Sequence, residues 1–330
     1  MMDRRVFIGS LALGSVATRR AASAQPARKV FRIGILSLGM TSDQVGPEPR
    51  YPPTNALLRG LGELGYRYGE QFVTEARGGD GRPERFPDLA AEMVHLNVDV
   101  IVAPGPMLPA LKRTTPTIPV VMAGALDPIG QGLVKSLRQP GGNFTGFSLQ
   151  SAETAAKRLE LLKEVVLGAA SVAVLWEQTV LSHWRVAEAA ARQRGWKLLP
   201  IEIRDAGAIA RGFKAATDAR AEALLVLAGG ILFPQSRRIA ELAITSRLPA
   251  IYSLRPQVEV GGLMSYGADI VETWRRAAVF VDRILKGANP ATIPVEQPTK
   301  FELVINLKAA QSIGLTIPQS VFLRADEVIQ

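Results

Sequence analysis

From Lys29 onward the chain repeats one unit: a short apolar run, a loop, then a stretch with apolar residues at helical spacing. Val30–Leu36, Phe72–Glu75, Val98–Ala103 and Ile118–Met122 are the first runs. Between them Leu57, Leu58, Leu61 and Leu64 mark one helix face, and Phe86, Leu89, Met93, Val94 and Leu96 another. Leu108–Arg113 reads as a short helix, and Asp127-Pro128 as the opening of a further one, with Asp as N-cap and Pro in the first turn. Runs that are apolar throughout suit strands covered on both faces, so the sheet is expected to be parallel.

After the turn Pro140–Asn143 and the run Phe144–Leu149 the same grammar restarts. Strands are predicted at Ser171–Trp176, Lys197–Ile203, Ala223–Leu227, Ala250–Tyr252 and Gly261–Tyr266. Helices are predicted at 152–166, 183–194, 208–219, 235–247 and 270–286. Two successive sets of such units predict an α/β chain of two doubly wound lobes. The length of 330 residues fits two domains. Ligands in such sheets sit beyond the carboxyl ends of the strands, so facing lobes bring those ends to one cleft.

The first 24 residues read as an export signal. Arg4-Arg5 precedes a weakly apolar stretch, Val6–Ala17, and Ala22-Ser23-Ala24 fits a cleavage site. Asp3–Ile8 resembles a twin-arginine signal. With Cys at 0 there is no thiol to carry a lipid, so the mature product is expected free in the periplasm. The same count excludes disulfides, thiolate metal sites and a cysteine nucleophile, and two histidines leave little for a metal. No run of about 18 apolar residues exists, which excludes a polytopic membrane protein. The net charge of +9 is dispersed, with no basic run longer than two, and reads as a solvated surface without a nucleic-acid partner.

The residues just after strands are the candidate ligand contacts: Ser37 and Leu38; Pro104, Gly105, Pro106 and Met107; Ala123, Gly124 and Asp127; Trp176; Gly229 and Gly230; Tyr252; and Tyr266. Small residues let a ligand approach backbone N–H groups, and aromatic residues can wall it. Asp127 reads as a helix cap ahead of a ligand contact. Trp176, Tyr252 and Met107 are expected to supply most of the apolar burial. Catalytic patterns are poor. Gly-x-Ser-x-Gly, a phosphate loop and Gly-x-Gly-x-x-Gly after a strand are all absent. An enzyme would need an acid–base pair from His183, Glu177 or Asp127. The expectation is binding without chemistry and without a cofactor.

The chain resembles substrate-binding proteins of ABC transporters, in the group with tryptophan- and tyrosine-binding members. The resemblance rests on Gly60–Tyr66, Thr115–Val121, Asp127–Val134, Pro140–Gly146, Gly261–Gly267, Asp282–Gly287 and Leu303–Ala310. It implies a type I periplasmic-binding fold: two Rossmann-like lobes joined by a three-strand hinge. The crossings are expected near Gly146, Val258–Gly261 and Gln297–Lys300. One lobe would then comprise 29–146 plus 259–297, and the other 147–258 plus 298–330. The resemblance also implies capture of a small organic solute, amino-acid-like, aromatic or a carboxylate, by hinge closure. Delivery would be to an ABC permease complex in the inner membrane; the alternatives are a periplasmic sensory ligand-binding module and, behind it, an exported α/β enzyme. Where many relatives carry Ser or Thr after the glycine of the third-strand loop, this chain reads Pro104-Gly105-Pro106-Met107.

Overall fold

A computed structural model describes residues 29–45, 48–149, 153–227 and 229–330. The expected export signal lies outside these residues.

The first half alternates β1 (Phe31–Ser37), α1 (Pro52–Glu63), β2 (Phe72–Gly78), α2 (Phe86–His95), β3 (Val100–Ala103), α3 (Leu108–Thr114), β4 (Val120–Ala125) and β5 (Phe144–Ser148). Its five strands form one sheet in the order β2-β1-β3-β4-β5, with every pair parallel. The second half begins α4 (Glu153–Val165), β6 (Ser171–Trp176), α5 (Leu181–Gln193), β7 (Lys197–Glu202), α6 (Ala208–Asp218) and β8 (Ala223–Val226). It continues with α7 (Ser236–Thr245), β9 (Ala250–Tyr252), α8 (Arg255–Glu259), β10 (Met264–Ala268) and α9 (Ile270–Leu285). It ends with β11 (Phe301–Asn306), α10 (Leu307–Ser312), α11 (Gln319–Phe322) and β12 (Glu327–Ile329). The second sheet runs β12-β11-β10-β9-β8-β6-β7, parallel except where β10 meets β11.

Each sheet is covered on both faces, as its continuous apolar strands require. On the first, Ile33, Ile35, Val100, Val102 and Val121 pack under α1 and α9, while Leu36, Ile101, Ala103, Val120 and Met122 pack under α2 and α3. On the second, Val172, Val174 and Leu225 face α4 and α5, and Ala173, Leu175, Leu224 and Val226 face α6 and α7. Each large aliphatic side chain sealed in this way contributes about 1.5–3 kcal/mol.

The chain passes between the sheets after β5, between β10 and α9, and before β11. The middle passage differs from expectation. Residues 264–268 were placed with the first lobe, but β10 pairs in parallel with β9 and belongs to the second sheet. The chain leaves for the first lobe only at Asp269, whose carboxylate caps α9 through the Glu272 N–H at 2.9 Å. α9 then lies against α1, so closely that a Cβ on Gly60 would sit 2.3 Å from the Arg275 carbonyl oxygen. Only glycine permits that approach.

The predicted helix at Asp127-Pro128 is a second correction. Asp127 accepts a bond from the Gly130 N–H at 2.8 Å, and Gln131 N–H donates to the Asp127 carbonyl at 3.0 Å. This is one capped turn, and no helix follows before β5. Gly130 and Gly132 interrupt the apolar spacing that would have continued it.

Candidate functional site

The parallel strands β1, β3 and β4 of the first sheet and β8 and β9 of the second end toward the space between the lobes, where the loops that follow them converge. They enclose a narrow cavity with about 550 Å³ of empty space, its mouth included. From the first lobe it is lined by Ser37, Leu38, Pro104, Gly105, Pro106, Ala123 and Gly124. Gly229 lines it from the second. Eight of the fourteen candidate contacts named from the sequence therefore meet at one place.

The other six lie elsewhere. Met107 is fully buried in the core beneath α2 and α3. Tyr252 is fully buried under α6 and α7, its ring pressed against Gly262, where a Cβ would come within 2.7 Å of it. Trp176 stacks on Trp184 with ring centroids 5.7 Å apart, and Tyr266 stacks on Phe301 at 6.0 Å. Asp127 holds its own turn, and Gly230 borders Pro106 outside the lining.

The expected aromatic burial is supplied instead by Tyr51, Phe233 and Trp274, with Leu126, Leu149, Leu254, Pro256 and Ile270 completing the walls. Tyr51 stands just before α1 and meets Trp274 of α9 edge to face, centroids 6.4 Å apart and planes at 79°. Burial pushes the Tyr51 phenol up to about 12, with the Glu259 charge adding to the effect, so it stays a neutral donor at physiological pH. Ile270 and Trp274, one helical turn apart, present one face of α9 to the cavity. No signal near a strand end announces these residues; only the (i, i+4) pair on a long amphipathic helix could have pointed to them.

Two polar features shape the site. The Ser37 hydroxyl lines the cavity, is buried, and has no hydrogen-bond partner. Glu177, also buried, lies behind Gly229. Its carboxylate accepts from Thr179 Oγ1 at 2.5 Å, Ile231 N–H at 2.8 Å and Leu232 N–H at 3.1 Å. A Cβ on Gly229 would fall 2.2 Å from Glu177 Oε1, so glycine is what lets the loop close over the carboxylate. Glu177 thus fixes one wall of the cavity.

His183 approaches the Leu126 carbonyl at 3.4 Å. Burial, reinforced by the Arg158 charge, pulls it down to about 4, so it is neutral in most conditions. Neither His183, Glu177 nor Asp127 lines the cavity. Among the described residues no cluster of three or more His, Asp and Glu could hold a metal ion, and no helix is long and apolar enough to cross a membrane.

Residues 47–329 match the family described as ABC transporter substrate binding protein. The chain belongs to that family. A substrate-binding protein of this kind binds a small-molecule solute and works with an ABC transporter permease. Among curated proteins it is similar to the "Tyrosine-binding protein" of Clostridioides difficile (strain R20291). That match is 23% identical over 278 residues, covering 82% of this chain and 80% of the other. Among solved structures it is similar to a conserved domain protein from Vibrio cholerae O1 biovar eltor. The TM-score is 0.81 at 26% identity, covering 91% of this chain and 100% of that one. It is also similar to an ABC domain from Streptococcus pneumonia in complex with L-Trp, with TM-score 0.79, 26% identity and the same coverage.

Proposed function

We propose that this substrate-binding protein captures a small organic solute in the cavity between its lobes, closes on it by bending at the three chain passages, and delivers it from the periplasm to an inner-membrane ABC permease. The observation that carries this reading is the convergence of both lobes' strand-end loops on one apolar cavity that holds the buried, unpartnered hydroxyl of Ser37. Such a cavity rewards burial of a guest and fixes its orientation with few polar contacts. The side chains that could have formed an acid–base pair are engaged or neutral elsewhere, which supports retention of the solute over its conversion. The relatives described as tyrosine-binding and L-Trp-bound support a solute carrying a ring.

Closure links affinity to conformation: a solute that contacts both lobes stabilises the closed form by its differential affinity. Small-angle scattering on the purified protein should show a smaller radius of gyration when a stabilising solute from a library of aromatic compounds and amino acids is added. Trp274→Ala and Phe233→Ala, one wall from each lobe, should each weaken binding at least tenfold by titration calorimetry. Phe233→Ala, on a half-buried residue, should keep the native circular dichroism. A solute recovered chemically altered, or the absence of any stabilising solute, would overturn the reading.

A further inference from the structure

We infer that the cavity selects an uncharged, ring-bearing solute without a free carboxylate, held by one hydrogen bond to Ser37 Oγ. This rests on the reading of the cavity as the solute site. Several segments that begin helices border the cavity, and a helix start is where protein usually grips a carboxylate, through free N–H groups. Here several of those N–H groups are absent or already bound. Before α3, Pro104 and Pro106 have no N–H, and the Met107 N–H is bound to the Pro104 carbonyl at 3.1 Å. α1 begins with Pro52-Pro53. At α8 the Gln257 Oε1 accepts the N–H groups of Ser253 and Leu254, both at 3.1 Å, and Pro256 has none to give. In the turn after Gly229 the Glu177 carboxylate already takes Ile231 and Leu232. At α9 the Asp269 carboxylate caps the helix from its own side.

Charge points the same way. Among the described residues no Lys, Arg, Asp or Glu lines the cavity. Behind the walls, Glu177 lies beneath Gly229, and Glu259, close enough to raise the Tyr51 phenol, is paired with Arg255 at 2.7 Å. An anion entering would lose its hydration and meet no cation in the lining, with the Glu177 carboxylate behind one wall. A cation would fare little better, because the Glu177 oxygens are occupied by Thr179 and the backbone and do not reach the lining. What remains is apolar wall, three rings and the hydroxyls of Ser37 and Tyr51. A neutral ring carrying an uncharged polar group can meet these hydroxyls without bringing a charge into the cavity.

The test uses matched probes on the purified mature protein: indole-3-acetamide, indole-3-acetate, tryptamine and L-tryptophan, with benzamide and benzoate as a smaller pair. Calorimetry at pH 7.5 should show the amide of a pair binding at least tenfold tighter than its carboxylate. Ser37→Ala should weaken the amide about tenfold, the loss of one hydrogen bond of roughly 1.4 kcal/mol. The apparent affinity for indole-3-acetate should rise as pH is lowered toward 5, because the protonated acid is the form that fits. Tighter binding of either carboxylate, of tryptamine or of L-tryptophan overturns the inference while leaving solute capture intact. Binding of none of these probes, with stabilisation by some other charged solute, overturns it likewise. If no solute of any class binds, solute capture itself fails.

Discussion

The two lobes build their halves of the cavity by opposite means. In the first, the loop after β3 is stiffened by Pro104 and Pro106, which delete backbone donors covalently. In the second, the loop after β8 keeps its donors and spends them on a buried side chain, Glu177. The proline solution involves no buried charge and depends on no partner. The carboxylate solution ties β6 to the turn after β8, at the cost of desolvating an ionised group that tolerates no loss of its contacts. The first lobe's wall is therefore expected to resist mutation, and the second's to be brittle.

The largest predicted effect tests that brittleness. Glu177→Ala strands two backbone N–H groups and a hydroxyl and should lower unfolding free energy by about 3 kcal/mol, read from urea denaturation. Stability unchanged within error would show that the second lobe's loop is held by something else. A smaller effect concerns pH. Glu302 on β11 is pushed up to about 7, first by burial and then by the Asp269 charge, against the pull of Arg255 and Lys300 and with a push from Glu327. The folded state then binds more protons than the unfolded between about pH 4.5 and 7, so this group lowers stability as pH rises through that window. His183, pulled down to about 4, acts with the opposite sign: its contribution grows as pH rises from 4 to 6.5. The two partly cancel. Glu302→Gln should leave a stability profile that rises with pH from 4 to 6.5, and an unchanged profile would contradict the raised carboxyl.

The smallest effect sharpens the first lobe's side. Pro106→Ala restores one N–H at the cavity edge. It should change stability by no more than about 1 kcal/mol and raise affinity for indole-3-acetate a few-fold. A loss of several kcal/mol would mean that this proline is as indispensable as Glu177.

The strands were legible because fully covered parallel strands are apolar throughout, and Ser171–Trp176 and Ala250–Tyr252 fall where the runs place them. The turn at Asp127 was misread because Asp followed by Pro caps a turn and a helix alike; what decides is the spacing beyond it, and Gly130 and Gly132 break that. The second chain passage was misplaced because whether β10 joins β9 is a matter of long-range pairing. In the cavity, the small residues were legible from topology, since a strand's end is a position along the chain. The aromatic walls were not. Tyr252 ends a strand yet lies inside the core, while Tyr51, just before α1, and Trp274 on α9 are 223 positions apart and meet only through the packing of α1 on α9.

That packing has a consequence for how the chain is made. Gly60 is among the early residues to emerge during synthesis and Arg275 among the late, yet neither helix has its bed without the other. The first lobe therefore waits, with one face of its sheet covered by α1 alone, while the whole second lobe up to β10 is produced. A nascent chain halted before Ile270 would carry a greasy, half-roofed sheet. Chaperones and proteases would meet that unfinished surface first.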